Sequence, residues 1–186
     1  MSADSCTDVI LIGGRSDVGK SSVAAEASRI LAVEGIRHAV IEGDNLDQAY
    51  PEPWRDGIDL AEQNLAAMWK NYRAVGYSRL IFTNTVSVLR LSPLVAALGT
   101  EVRPFAALLT ASDATAAHRL AKREIGSALT EHIDRSRRAA QTLDSADPTV
   151  TRVETDDRSI TDIATELLSR AGWLEAHGSR SPHRCP

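Results

Sequence analysis

An apolar run at residues 8–13 (DVILIG) passes directly into Gly14-Arg15-Ser16-Asp17-Val18-Gly19-Lys20-Ser21, and residues 20–34 follow with helical apolar spacing. The pattern is G-x-x-x-x-G-K-[ST] set between a strand and a helix, the context this motif requires. Its two glycines let successive backbone N–H groups curl around a phosphate, and the start of the helix aims its positive dipole end at the same point. Lys20 supplies charge for β- and γ-phosphates, and the Ser21 hydroxyl supplies a ligand for Mg²⁺. Gly14, Arg15, Ser16, Asp17, Val18, Gly19, Lys20, Ser21 and Ser22 form the expected cradle. The dinucleotide pattern G-x-G-x-x-G is absent from this loop. Asp17 is out of character, because a carboxylate repels the phosphates the loop surrounds. It is either a solvated group that weakens binding or the mark of a tuned or impaired site.

Four further apolar runs, at residues 37–42, 79–84, 103–110 and 149–154, alternate with segments of helical spacing. That alternation predicts an α/β domain with a largely parallel sheet, the more polar fifth run fitting an edge. Helices are expected at 20–34 with Val23, Ala27, Ile30 and Leu31 inward, and at 59–75 with Leu60, Asn64, Ala67, Met68 and Tyr72 together. Further helices are expected at 93–98 after Ser92, at 113–124 after the N-cap Ser112, and at 130–143. The last, at 159–171, points Ile160, Ile163, Ala164 and Leu167 inward. Residues 1–173 read as one domain, and 174–186, without apolar periodicity, as a mobile tail.

The chain has 186 residues, 43% of them hydrophobic, with 21 Lys and Arg against 25 Asp and Glu. Its net charge of −4 gives no global reason to expect a nucleic-acid or anionic-membrane partner. Cys6 and Cys185 belong to no metal-ligand cluster, and His38, His118 and His132 show no metal spacing with one another. There is no secretory h-region and no membrane-length apolar stretch, so a cytoplasmic location is expected.

Three segments add candidate chemistry. The second run ends in Glu42-Gly43-Asp44, beside the loop in an open α/β sheet. Asp44 is placed there to take a proton from a substrate hydroxyl or to hold Mg²⁺, or else to cap a turn; Glu42 and Asp47 read as turn or surface residues. Residues 49–56 (AYPEPWRD) bring Tyr50 and Trp54 either to wall an acceptor or to cover the core edge, with Arg55 facing solvent or an anionic acceptor. Thr83-Asn84-Thr85 replaces the magnesium-holding Asp of many ATPases and either contacts substrate or simply ends the strand. Arg119 and Arg123 lie four apart, on one helix face, before Gly126. Positive charge able to close over a nucleotide is what phosphoryl transfer needs; His132, Arg135 and Arg138 continue that basic surface.

The loop, the Gly43-Asp44 turn and the basic helix of residues 119–126 together resemble the small phosphate-loop kinases, among them adenylyl-sulfate, gluconate and shikimate kinases, nucleoside monophosphate kinases and chloramphenicol phosphotransferase. The turn Val153-Glu154-Thr155-Asp156 resembles their adenine-side turn. The resemblance, spanning about residues 8–172, implies a three-layer P-loop sandwich. Its five-stranded parallel sheet would have the order 2-3-1-4-5, with helices on both faces and a short lid. It implies ATP and Mg²⁺ as cofactors and γ-phosphoryl transfer to the hydroxyl of a small-molecule acceptor. Lys20, Asp44, Arg119 and Arg123 are then the catalytic candidates, and Ser21 and Asp44 the metal candidates. Two alternatives stay open: a nucleoside or nucleotide kinase, for which Arg55 is the one arginine in the candidate acceptor segment, and a regulatory protein that hydrolyses ATP slowly or not at all.

Overall fold

The computed structural model describes residues 6–123 and 128–174. The expected tail, Gly126 and Cys185 lie outside them, as do the side chains of residues 122–131, which include Arg123. In chain order the strands and helices are β1 (Thr7–Gly13), α1 (Lys20–Val33), β2 (Ala39–Glu42), α2 (Leu60–Ala74), β3 (Arg79–Thr83), α3 (Leu91–Leu98), β4 (Val102–Thr110), α4 (Asp113–Arg123), α5 (Ala128–Leu143), β5 (Thr151–Glu154) and α6 (Ile160–Arg170).

All pairings are parallel and the strand order is β2-β3-β1-β4-β5, as the resemblance implied. β1 is central, and its Val9, Ile10, Leu11 and Ile12 are all buried, because a parallel sheet covered on both faces needs apolar side chains on both. The polar β5 takes an edge. On one face Ile10 and Ile12 meet Val23, Ala27 and Leu31 of α1 and Ile163, Ala164 and Leu167 of α6. On the other, Val9 and Leu11 meet Leu65 and Trp69 of α2 and Leu94 and Leu98 of α3.

Three helix expectations are corrected. In α2 the inward residues are Leu65 and Trp69, while Ala67 and Met68 are exposed. Trp69 sets the rotation: its indole reaches the buried Thr7 hydroxyl, Nε1 donating to Oγ1 at 3.0 Å. In α6 Ile160, the first helical residue, is exposed and Leu168 is buried instead. Helix α3 begins at Leu91, two residues before Pro93, a first-turn position where the missing N–H costs nothing. Ser112 is the N-cap expected, accepting from Thr115 N at 3.2 Å, and Ser159, expected as the first helical residue, instead caps α6 by accepting from Asp162 N at 3.1 Å.

Candidate phosphate and acceptor site

The loop between β1 and α1 lies at the carboxyl end of the sheet, where the strands deliver their last side chains. Gly14 must be glycine: φ is 149°, and a Cβ there would stand 2.8 Å from the Leu109 carbonyl and 2.8 Å from Val18 Cγ1. Gly19 caps α1 in a left-handed conformation without a side-chain hydrogen bond, so no capping side chain claims the first-turn N–H groups. Ser21 and Ser22 are exposed in that turn.

Lys20 folds back over the loop. Its Nζ donates to the carbonyls of Gly14 at 2.9 Å and Arg15 at 3.2 Å, and to Thr85 Oγ1 at 3.5 Å. Burial pulls its pKa below the ordinary lysine value, opposed by the negative charges of Asp44, Glu42 and Asp17. Asp17 adopts φ 60°, the left-handed region. That backbone explains why glycine suits this position, and Asp is among the side chains that tolerate it.

The parallel register supplies what sequence proximity hides. Glu42 pairs with Thr83 across β2 and β3. Thr83 Oγ1 donates to Glu42 Oε2 at 2.7 Å, and Ser21 Oγ donates to the same oxygen at 3.2 Å. Glu42 is therefore no idle turn residue: it is the carboxylate in direct contact with Ser21. Asp44 sits in the single helical turn Gly43–Asn45 and accepts from Asn84 Nδ2 at 2.9 Å and Thr85 N at 3.3 Å. Thr83-Asn84-Thr85 thus holds both carboxylates and touches Lys20. Among the described residues no group of three or more His, Cys, Asp or Glu is arranged to hold a metal ion. The hydroxyl of Ser21 with the carboxylates of Glu42 and Asp44 is a hard-oxygen set of the kind that completes Mg²⁺ coordination together with phosphates.

Arg15 and Arg119 brace the loop. Arg15 is buried and donates to Ser136 Oγ at 3.0 Å and to Asp113 Oδ1 at 2.5 Å, joining the loop to α5 and to the start of α4. Hydrogen bonds from Arg15 and Arg137 hold the Asp113 carboxyl below its usual pKa. Arg119 donates to the Val18 carbonyl and to Thr155 Oγ1 and O, each at 3.1 Å. It ties the loop to the turn after β5 rather than extending into open space. His38 is structural, bonded to Ser28 Oγ at 2.7 Å and to the Ile36 carbonyl at 2.8 Å.

Beside Asp44 opens a cavity of about 310 Å³, sharing Gly43 and Asn84 with the carboxylate's surroundings. Trp54, Ile58, Phe82, Val86 and Leu94 form its apolar lining; Asp47, Asp59, Glu62 and Arg90 its charged lining. Trp54 is therefore a cavity wall. Arg55 is outside that lining and pairs with Glu52 at 3.1 Å. Arg90, which no motif or spacing singles out, is the arginine in the cavity lining.

The five-stranded parallel sheet in the order β2-β3-β1-β4-β5 is a fold that this chain shares with solved small P-loop kinases. Solved structures agree on the fold. A gluconokinase from Sinorhizobium meliloti matches with 20% identity and a TM-score of 0.57, over 89% of this chain and 91% of that one. The tunicamycin resistance protein of Deinococcus radiodurans matches with 18% identity and a TM-score of 0.60, over 90% and 97%. The APS kinase of Mycobacterium tuberculosis, solved with AMPPNP and APS, matches with 21% identity and a TM-score of 0.52, over 88% and 96%. No protein-family profile and no curated protein matches the chain in sequence. Among the described residues no helix is long and apolar enough to cross a membrane.

Proposed function

We propose that this chain is a kinase that moves the γ-phosphoryl group of ATP to a hydroxyl of a small molecule. The observation that carries the reading is the convergence of Lys20, Ser21, Glu42 and Asp44 at one end of the sheet, with an organic-sized cavity opening beside Asp44. The loop from Gly14 to Ser22 holds the phosphates through its N–H groups, and Lys20 exchanges its loop carbonyls for phosphate oxygens. Ser21, with Glu42 and Asp44 behind it, would hold Mg²⁺, which when bound neutralises charge on the phosphate oxygens. Asp44 accepts the proton of the acceptor hydroxyl. The acceptor oxygen bonds to the γ-phosphorus as the bond to the β–γ bridging oxygen breaks, and ADP leaves with that electron pair. Arg119 acts as a positioning residue through Val18; Arg123, four residues on, is assigned to the transferring phosphoryl group.

Asp17 supports a second reading, slow hydrolysis by a regulatory nucleotide-binding protein, because its charge acts on Lys20 inside the cradle. Incubation with γ-labelled ATP and a panel of hydroxyl compounds separates the two. Label recovered on an organic acceptor, and lost in Lys20→Ala, is expected. Label appearing only as inorganic phosphate, at a rate no acceptor changes, overturns the kinase reading in favour of the second.

A further inference from the structure

The charged groups of the cavity beside Asp44 are three carboxylates, Asp47, Asp59 and Glu62, and one guanidinium, Arg90. The guanidinium is already paired through one of its nitrogens. Its Nη2 is 3.3 Å from Asp59 Oδ1 and in tight contact with Glu62 Oε1. Although partial burial pulls the other way, the charges and hydrogen bonds of Glu62 and Asp59 hold Arg90 above its ordinary pKa. Glu62 is the better shielded of the two carboxylates, its side chain 15% exposed against 71% for Asp59. Asp47 is half-buried, and no hydrogen bond or ion pair among the described residues engages its carboxylate. A ligand entering here meets one paired cation, a surplus of negative charge, and an apolar wall that includes Trp54.

We infer that the acceptor this cavity selects is an apolar hydroxyl compound bearing a positive charge, an amino alcohol rather than a hydroxy acid or a phosphate ester. The inference rests on the kinase reading for the word acceptor; the charge preference rests on the cavity alone. A carboxylate or phosphate would have to draw Arg90 from Glu62 and leave that shielded carboxylate without its cation, which is costly. An ammonium group instead gains Asp47 as a partner and Trp54 as a cation–π surface, while its apolar body lies against Ile58, Phe82 and Leu94. The size suits a ligand at the lower end of ordinary small-molecule sites.

Three probes of one shape isolate the charge: phenylethanolamine, styrene glycol and mandelate carry the same ring and the same benzylic hydroxyl, and differ in an ammonium, a neutral hydroxymethyl or a carboxylate group. Their dissociation constants for the full chain are measured by ligand-observed saturation-transfer titration without nucleotide, and Mg·ATP binding is measured separately on the same preparation. Phenylethanolamine is expected to bind about tenfold more tightly than mandelate, with styrene glycol between them. Asp47→Asn is expected to weaken the amine severalfold and leave the diol unchanged. Glu62→Gln, which frees Arg90, is expected to tighten mandelate while weakening the amine. Mandelate binding as well as the amine, equal binding of all three, or binding of none overturns the inference. Failure to bind Mg·ATP with the charge order intact overturns the kinase reading instead.

Discussion

Gly43 stands where β2 passes the end of β3, between the two carboxylates of the site. A methyl group added there would run into Phe82 Cζ, and would lie 2.7 Å from the Thr83 carbonyl oxygen and 3.0 Å from Asn84 Cβ. The ring is fully buried and the carbonyl belongs to a strand, so neither yields by a simple rotamer change. Overpacking of this kind costs about 1–3 kcal/mol, and rigid neighbours place Gly43→Ala near the upper end. Lower unfolded-state entropy returns at most about 1 kcal/mol. The net is about 2 kcal/mol, which for a chain of this size lowers Tm by roughly 4–8 °C. Thermal denaturation followed by circular dichroism reads it directly. The same displacement moves Asp44 from Asn84 and Thr85, so acceptor-dependent ADP formation should fall further than the residual folded fraction explains. A Tm unchanged within about 1 °C would refute the reasoning, because it would mean that β2 and β3 are not locked at this crossing.

Other perturbations separate the supports of the site. Arg15→Ala removes a buried guanidinium bonded to Ser136 and Asp113, and urea denaturation should show a loss of about 1–3 kcal/mol, whereas Asp113→Asn, at a largely exposed partner, should cost less than about 1 kcal/mol. Glu26 joins α1 to α6: hydrogen bonds from Arg29 and Thr161 lower its pKa to about 2 from the model-compound 4.5. Because the folded-state value is the depressed one, its contribution is present above about pH 4.5 and is lost as pH falls through about 2; in Glu26→Gln the dependence of Tm on pH across that window should flatten. Trp69→Phe leaves the buried Thr7 hydroxyl without its donor and should lower stability by about 1–3 kcal/mol in chemical denaturation.

The fold was legible because its signals are local. A central strand buried on both faces, a glycine loop and an amphipathic helix occupy consecutive residues from Thr7 to Val33. The Ser112 cap located the start of α4, and polar composition the edge strand, in the same way. What escaped depends on register and on rotation. Glu42 looks like a turn residue until parallel pairing sets it against Thr83 and in reach of Ser21. The rotation of α2 follows from one indole hydrogen bond to β1, 62 residues away, which outweighs the weak preference of Ala67 and Met68. Arg90 gains its significance from Asp59 and Glu62 on the preceding helical segment, and Arg15 from α4 and α5. Arg90 lies 28 and 31 residues from its partners and Arg15 98 and 121 from its own, so no short window of sequence shows either arrangement.

The central claim is that the loop and its lysine receive a nucleoside triphosphate with Mg²⁺. Calorimetric titration of the full chain with Mg·ATP, run beside Lys20→Ala and Asp17→Gly, tests it most directly. Saturable binding by the unaltered chain is expected, lost by at least about a hundredfold in Lys20→Ala and strengthened in Asp17→Gly, where a negative charge of the loop is removed. Absence of binding in the unaltered chain, or binding that Lys20→Ala leaves intact, would contradict it.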